Sequence, residues 1–194
     1  MSALRLTAYP RTLSVMALAA LIVFAAFTDY RFALHDALLP FFEWMETTPL
    51  GVAGKTWGAL FAVVQALHLL SMAVLGGAVL LGDARLMRLA FTDITLQAFL
   101  RQCDRLFDWA LLCVVLTGVF MACGVAVKIY YLPVYWYKML ALGIGVLFVY
   151  RVRRPLLRVP EERLPASVRI MVAVASVMVW FSVAATGRWI GFSG

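Results

Sequence analysis

The chemistry of this chain centres on one imidazole. His68 lies in "ALHLLSMAVLGGAVLLGDARL" (residues 66–86), a run of hydrocarbon in which a ring without a partner is unfavourable. At 100° per residue, with His68 as zero, Met72 falls at about +40°, Gln65 and Asp83 at about +60°, and Gly76 at about +80°. The polar groups of this helix are thus expected on one side, which must face protein rather than lipid tails. Gly76 on that side leaves room for a neighbouring backbone or a flat ligand. Three chemistries suit such a histidine. It can hydrogen-bond across to a Ser or Thr such as Thr117, ligate a metal, foremost haem iron held between helices, or handle a proton or substrate. Met72, one turn on, pairs a thioether with the imidazole and suits a small ion such as Cu(I). Haem takes axial ligands from opposite faces, so a second ligand would have to come from another helix. His35 is the only other histidine. His68 is about 16 Å of helix below Trp57, so a bis-histidine site requires the 33–46 segment to dip into the bundle.

A second polar group stands in "YYLPVYWYKMLALGIGVLF" (residues 130–148). If a helix starts near Pro133, a good first-turn residue, Lys138 sits more than a turn inside it. It can snorkel to the head groups beside Tyr130, Tyr131, Tyr135, Trp136 and Tyr137, or pair with a haem propionate or a substrate carboxylate. Arg188 reads as an interface anchor. Asp83 is expected to form a local charge pair with Arg85 or Arg88, and Thr117 and Gly118 in "LTGVF" to give a close helix contact.

Apolar residues make up 64% of the 194, and mean hydropathy is +0.93, far from a soluble domain. The net charge of +7 is concentrated in clusters between apolar runs, which speaks to topology and anionic head groups rather than nucleic acid. Cys103, Cys113 and Cys123 have neither CxxC nor CxxCH spacing, and no HExxH, GxSxG, P-loop or GxGxxG motif supports hydrolysis or nucleotide binding.

Five segments approach the length that crosses a bilayer: 12–28, 57–82, 107–127, 133–151 and 167–187. The first follows Arg5 and Arg11 and, lacking a clear A-x-A cleavage site, is expected to be a retained signal-anchor helix. Arginines flanking the apolar runs place the N-terminus inside and the C-terminus outside. "FALHDALLPFFEWME" is amphipathic and expected on the outer surface, bent or divided at Pro40. "TLQAFLRQCDRLFDW" should be a second amphipathic helix running into the third span. "RVRRPLLRVPEERLPAS", with three prolines, reads as a turn region. The expected architecture is an all-α, single-domain (1–194) integral membrane bundle of five spans and two interfacial helices.

The order "ALHLLSMAVLGG", "LTGVF", "YWYKMLAL" resembles the membrane region of the copper resistance protein D superfamily. It looks closer to a family of small bacterial membrane proteins in that neighbourhood, in which His and Gly precede an acidic-x-Arg-Leu ending, here "DARL". The match covers about residues 57–150. The HemJ-type protoporphyrinogen oxidases are more distantly similar, with a membrane-embedded histidine and a Trp-x-x-Lys-Leu-like helix start. That likeness implies His68 as haem ligand and Lys138 as the functional lysine, although "WYKM" has one residue fewer between Trp and Lys.

Together these readings give a multi-pass protein of the bacterial inner membrane that holds haem b on His68. Gln65, Gly76 and Lys138 would line the cofactor, and the role would be electron transfer or anchoring a redox complex. The alternatives are a copper-binding or transport protein using His68 and Met72, and a structural subunit without cofactor. A periplasmic or membrane redox partner is expected on the acidic, aromatic outer segment 33–50. Nucleic acid is not an expected partner.

Overall fold

The architecture comes from a computed structural model, which describes residues 30–192 and side chains from residue 36 onward. The first expected span, 12–28, lies outside the described residues. Among those described there is no strand. The helices are α1 (Tyr30–Thr47), α2 (Pro49–Thr56), α3 (Gly58–Leu86), α4 (Leu96–Gly124), α5 (Ala126–Tyr130), α6 (Pro133–Leu157) and α7 (Ala166–Ile190). A short 3-10 turn spans Glu161–Arg163. Four of these helices, α3, α4, α6 and α7, are long and apolar enough to cross a membrane. Their outer faces carry large exposed hydrophobics such as Leu69, Leu70, Leu116 and Phe181, as lipid contact requires.

The long helices pack as two pairs. α3 lies along α4, α6 lies along α7, and α3 against α7 joins them, whereas α3 and α6 do not pack closely on one another. Leu75, Val79, Phe107, Leu111, Val149 and Trp180 fill the middle, and Phe107 meets Trp180 edge-on at 5.2 Å. α4 includes the expected amphipathic run-in without a break, because Leu96, Leu100, Cys103 and Phe107 recur at helical spacing and are all buried.

One end is rich in arginine. Asp83, 1% exposed, accepts from Arg153 Nη2 at 3.1 Å, and Arg153 Nη1 reaches Asp104 at 3.3 Å. Arg154 donates to Asp108 at 2.7 Å and lies 4.4 Å over the ring of Tyr150, whose hydroxyl donates to the same carboxylate at 2.5 Å. This corrects the expected local pair of Asp83 with Arg85 or Arg88. Residues two apart point about 200° away from each other on a helix, so Asp83 turns to Arg153 of α6 while Arg85, also buried, turns to Glu161 and the Ile94 carbonyl. Gly82 makes the pairing possible, since a Cβ there would stand 2.7 Å from Arg153 Nη2.

The residues expected to form a turn after 151 instead remain helical to Leu157, through a π-helical stretch, Phe148–Arg153. Pro155 supplies the cause. It donates no hydrogen bond and crowds the carbonyl four residues back, and the wider π register removes that conflict while bringing Arg153 inward.

The opposite end is closed by α1, α2 and α5. α1 is amphipathic as expected but passes Pro40 as one helix. Phe42 is buried against Tyr130 at 5.4 Å and Trp136 at 5.6 Å, while Phe41 and Trp44 remain exposed. Glu46 pairs with Lys55 and accepts from Val127 N–H at 2.8 Å. Burial pushes the Glu46 carboxyl up, but these two donors outweigh it and hold it below its ordinary value. Gly54 and Gly124 let α2 and α4 touch backbone to backbone: a Cβ on Gly54 would lie 3.0 Å from the Cα of Gly124.

Candidate functional site

His68 stands ten residues into α3, about 15 Å from its start at Gly58. It is 7% exposed. Its Nδ1 is 2.8 Å from Thr117 Oγ1 on α4, and that hydroxyl donates in turn to the Cys113 carbonyl at 2.6 Å. A threonine has one proton to give. With it committed to Cys113, Oγ1 accepts, so the hydrogen-bond network assigns the proton to Nδ1 of His68. Nε2 then carries the lone pair; the Val114 carbonyl, the ring's other partner among the described residues, can only accept an N–H and leaves that lone pair unused. This is the tautomer and orientation that second-shell partners impose on metal-ligating histidines. It is equally a satisfied interhelical hydrogen bond. Gly118 seats the ring, because a Cβ there would be 3.3 Å from His68 Cε1.

Lys138 lies five residues into α6, at the same end of the bundle as His68. Its stem runs over Gly187 of α7, where a Cβ would lie 3.5 Å from Cε and 3.7 Å from Nζ. Among the described residues no carboxylate pairs with Lys138. Two of the residues singled out from sequence, His68 on α3 and Lys138 on α6, thus stand at the same end of the bundle.

The others are placed differently. Gln65 is exposed, and nothing lies within 4 Å of a Cβ built on Gly76. The buried stripe of α3 runs through His68, Leu75, Val79 and Leu86, which lie within about 20° of the His68 direction, so positions at +60° and +80° fall at its edge. Asp83 at +60° is buried only because Arg153 reaches it. Met72 is half-buried one turn from His68. His35 belongs to α1, and its side chain is outside those described. Among the described residues no three His, Cys, Asp or Glu side chains converge as a metal-binding group.

Sequence reasoning missed the role of Gly187. Its only signal was a small residue in "ATGRW" near the end of an apolar run, a position that says nothing of Lys138 until α6 and α7 are placed side by side. It also missed Glu161, which at the arginine-rich end draws together Arg85, Arg88 and Arg169.

No curated protein and no solved structure matches the chain. Residues 41–193 match the family of unknown function DUF6644, which takes in all four membrane-length helices and both His68 and Lys138. The chain belongs to that family.

Proposed function

We propose that this is a multi-pass protein of the bacterial inner membrane that binds a b-type haem and acts in electron transfer or as the membrane anchor of a redox complex. One observation carries the reading: a buried imidazole with Nδ1 fixed by Thr117 and Nε2 uncommitted, at the same end of the bundle as a lysine that no carboxylate among the described residues neutralises. The donor chemistry fits the group. Neutral imidazole is the usual axial ligand of haem iron, and an intramembrane ammonium suits a propionate. When bound, haem supplies one-electron redox chemistry between ferric and ferrous iron.

The chain's own residues have separate tasks. Thr117 holds the ring of His68 in one tautomer and raises its basicity through the Nδ1 hydrogen bond. Lys138 balances anionic charge at the end nearer α2, and the apolar walls of α3, α4, α6 and α7 keep water from Nε2. Basic residues concentrated at the far end support the reading that this end faces the cytoplasm, with the N-terminus inside and the C-terminus outside. The exposed Phe41 and Trp44 on α1 offer the surface for a periplasmic or membrane partner.

Absorption spectroscopy of the protein purified in detergent tests the reading. A Soret band that disappears in His68→Ala is expected. A colourless protein retaining copper by elemental analysis would instead favour the His68 and Met72 chemistry, and a colourless, metal-free protein would leave the structural role.

A further inference from the structure

At the arginine-rich end a cavity of about 510 Å³ opens between the α3–α4 loop and the 3-10 turn, lined by Arg85, Arg88, Thr92, Glu161 and Glu162. Arg85 Nη2 donates to Glu161 Oε2 at 3.0 Å, and Arg169 Nη1 donates to Oε1 at 3.1 Å from α7. Arg88 adds bonds of 3.3 Å from Nε and 3.2 Å from Nη2, both to Oε1. Three guanidiniums therefore serve one carboxylate, and of these Arg85 and Arg88 line the opening together with Glu161 and Glu162.

The three are not held equally. Arg85 is 3% exposed and also grips the Ile94 carbonyl at 2.7 Å, and Arg169 is 8% exposed. Both fix the fold. The Arg88 side chain is 58% exposed, and its bonds are longer than the 2.7–2.9 Å usual for charge-assisted pairs. Its backbone has a φ of 60°, which turns the chain out of α3 and presents the guanidinium to the opening. Glu161 would remain satisfied by Arg85 and Arg169 if Arg88 turned away. Leu164 is buried and anchors the 3-10 turn, so the cavity does not depend on Arg88 to stay formed.

We propose that this cavity binds the phosphate group of an anionic ligand, with the Arg88 guanidinium as the principal donor and the Thr92 hydroxyl as the second. The position is the point where α3 ends and α4 and α7 begin, at the boundary of the apolar spans, so the ligand expected there is the head group of an anionic phospholipid. Arginine presents two parallel N–H groups to phosphate oxygens and is weakly hydrated, which favours phosphate over the long bonds to Glu161. Basic pockets between membrane helices at the positively charged end recognise head groups in the same way.

The test is thermal unfolding of the full chain in neutral detergent with dioctanoyl phosphatidylglycerol, dioctanoyl phosphatidylcholine or inorganic phosphate added. Phosphatidylglycerol should raise the unfolding temperature saturably, with half-saturation at least about tenfold weaker in Arg88→Gln. Thr92→Val should weaken it less, and Glu162→Gln should tighten it by removing a repelling charge. All three positions are exposed, so these variants should fold. An equal, Arg88-dependent rise with inorganic phosphate supports the site and assigns it to free phosphate. An equal rise with phosphatidylcholine, an undiminished response in Arg88→Gln, or no response to either anion overturns the proposal.

Discussion

The two halves of this bundle treat buried polar groups in opposite ways. At the arginine-rich end each buried cation meets a carboxylate of the chain itself: Arg153 has Asp83 and Asp104, Arg154 has Asp108, and Arg85 and Arg169 share Glu161. In the other half a lysine with no carboxylate partner among the described residues shares its end of the bundle with an imidazole whose Nε2 is uncommitted. Charge in an apolar interior is tolerated when paired and is otherwise retained for function. The first half reads as a clamp that fixes the fold. The second has a donor and a cation left over, which is the pattern of a site completed by something other than protein.

Breaking the clamp should have the largest effect. Arg153→Met leaves Asp83 buried without a counter-ion and is expected to destabilise by about 3–5 kcal/mol, with any haem lost only through unfolding. The double variant Arg153→Met with Asp83→Asn should recover much of that loss, measured by thermal unfolding in detergent. Perturbing the other half should do the reverse, with little change in unfolding but a large one in cofactor binding. On the proposed reading Thr117→Val removes the acceptor of Nδ1–H and should weaken haem affinity by about 10- to 100-fold, read from titration of haem into the apoprotein.

Lys138→Met should act more mildly. On the proposed reading it removes a propionate partner but not the axial ligand, so the Soret band is expected to persist while haem is released several-fold faster to a haem scavenger.

Acid should have the smallest effect, and on the surface alone. Burial raises the Glu161 carboxyl, but Arg85 and Arg88 outweigh it and hold the group below its ordinary 4.5. Its stabilisation is complete above that value and is lost as the pH falls through the lowered one, and Glu46 behaves alike. Unfolding temperature should decline below pH 4.5, less steeply in Glu161→Gln.

How far the sequence could be read follows the same division. Hydropathy locates α3, α4, α6 and α7 because burial in lipid leaves a long apolar run, and the 100° wheel finds His68, with Thr117 as its partner, because both sit inside such runs. The wheel places Gln65 and Gly76 too generously, since polarity marks a face only to within the width of the true contact, and here leucines and valines define that contact. Asp83 with Arg153 was not legible. The pairing spans 70 residues, and it depends on a π-helical widening that Pro155 induces and that no periodicity announces. Glu161 was hidden likewise, in a proline-rich link whose fold is set by the arginines it meets.

The central claim is that Nε2 of His68 is kept free to bind haem iron. The most direct measurement is the haem-to-protein ratio after saturating reconstitution, by pyridine haemochrome assay, in the native chain and in His68→Ala. One haem per native chain and none in the folded variant is the expected result. A folded native chain that takes up no haem, or a His68→Ala chain that takes up as much, would contradict it.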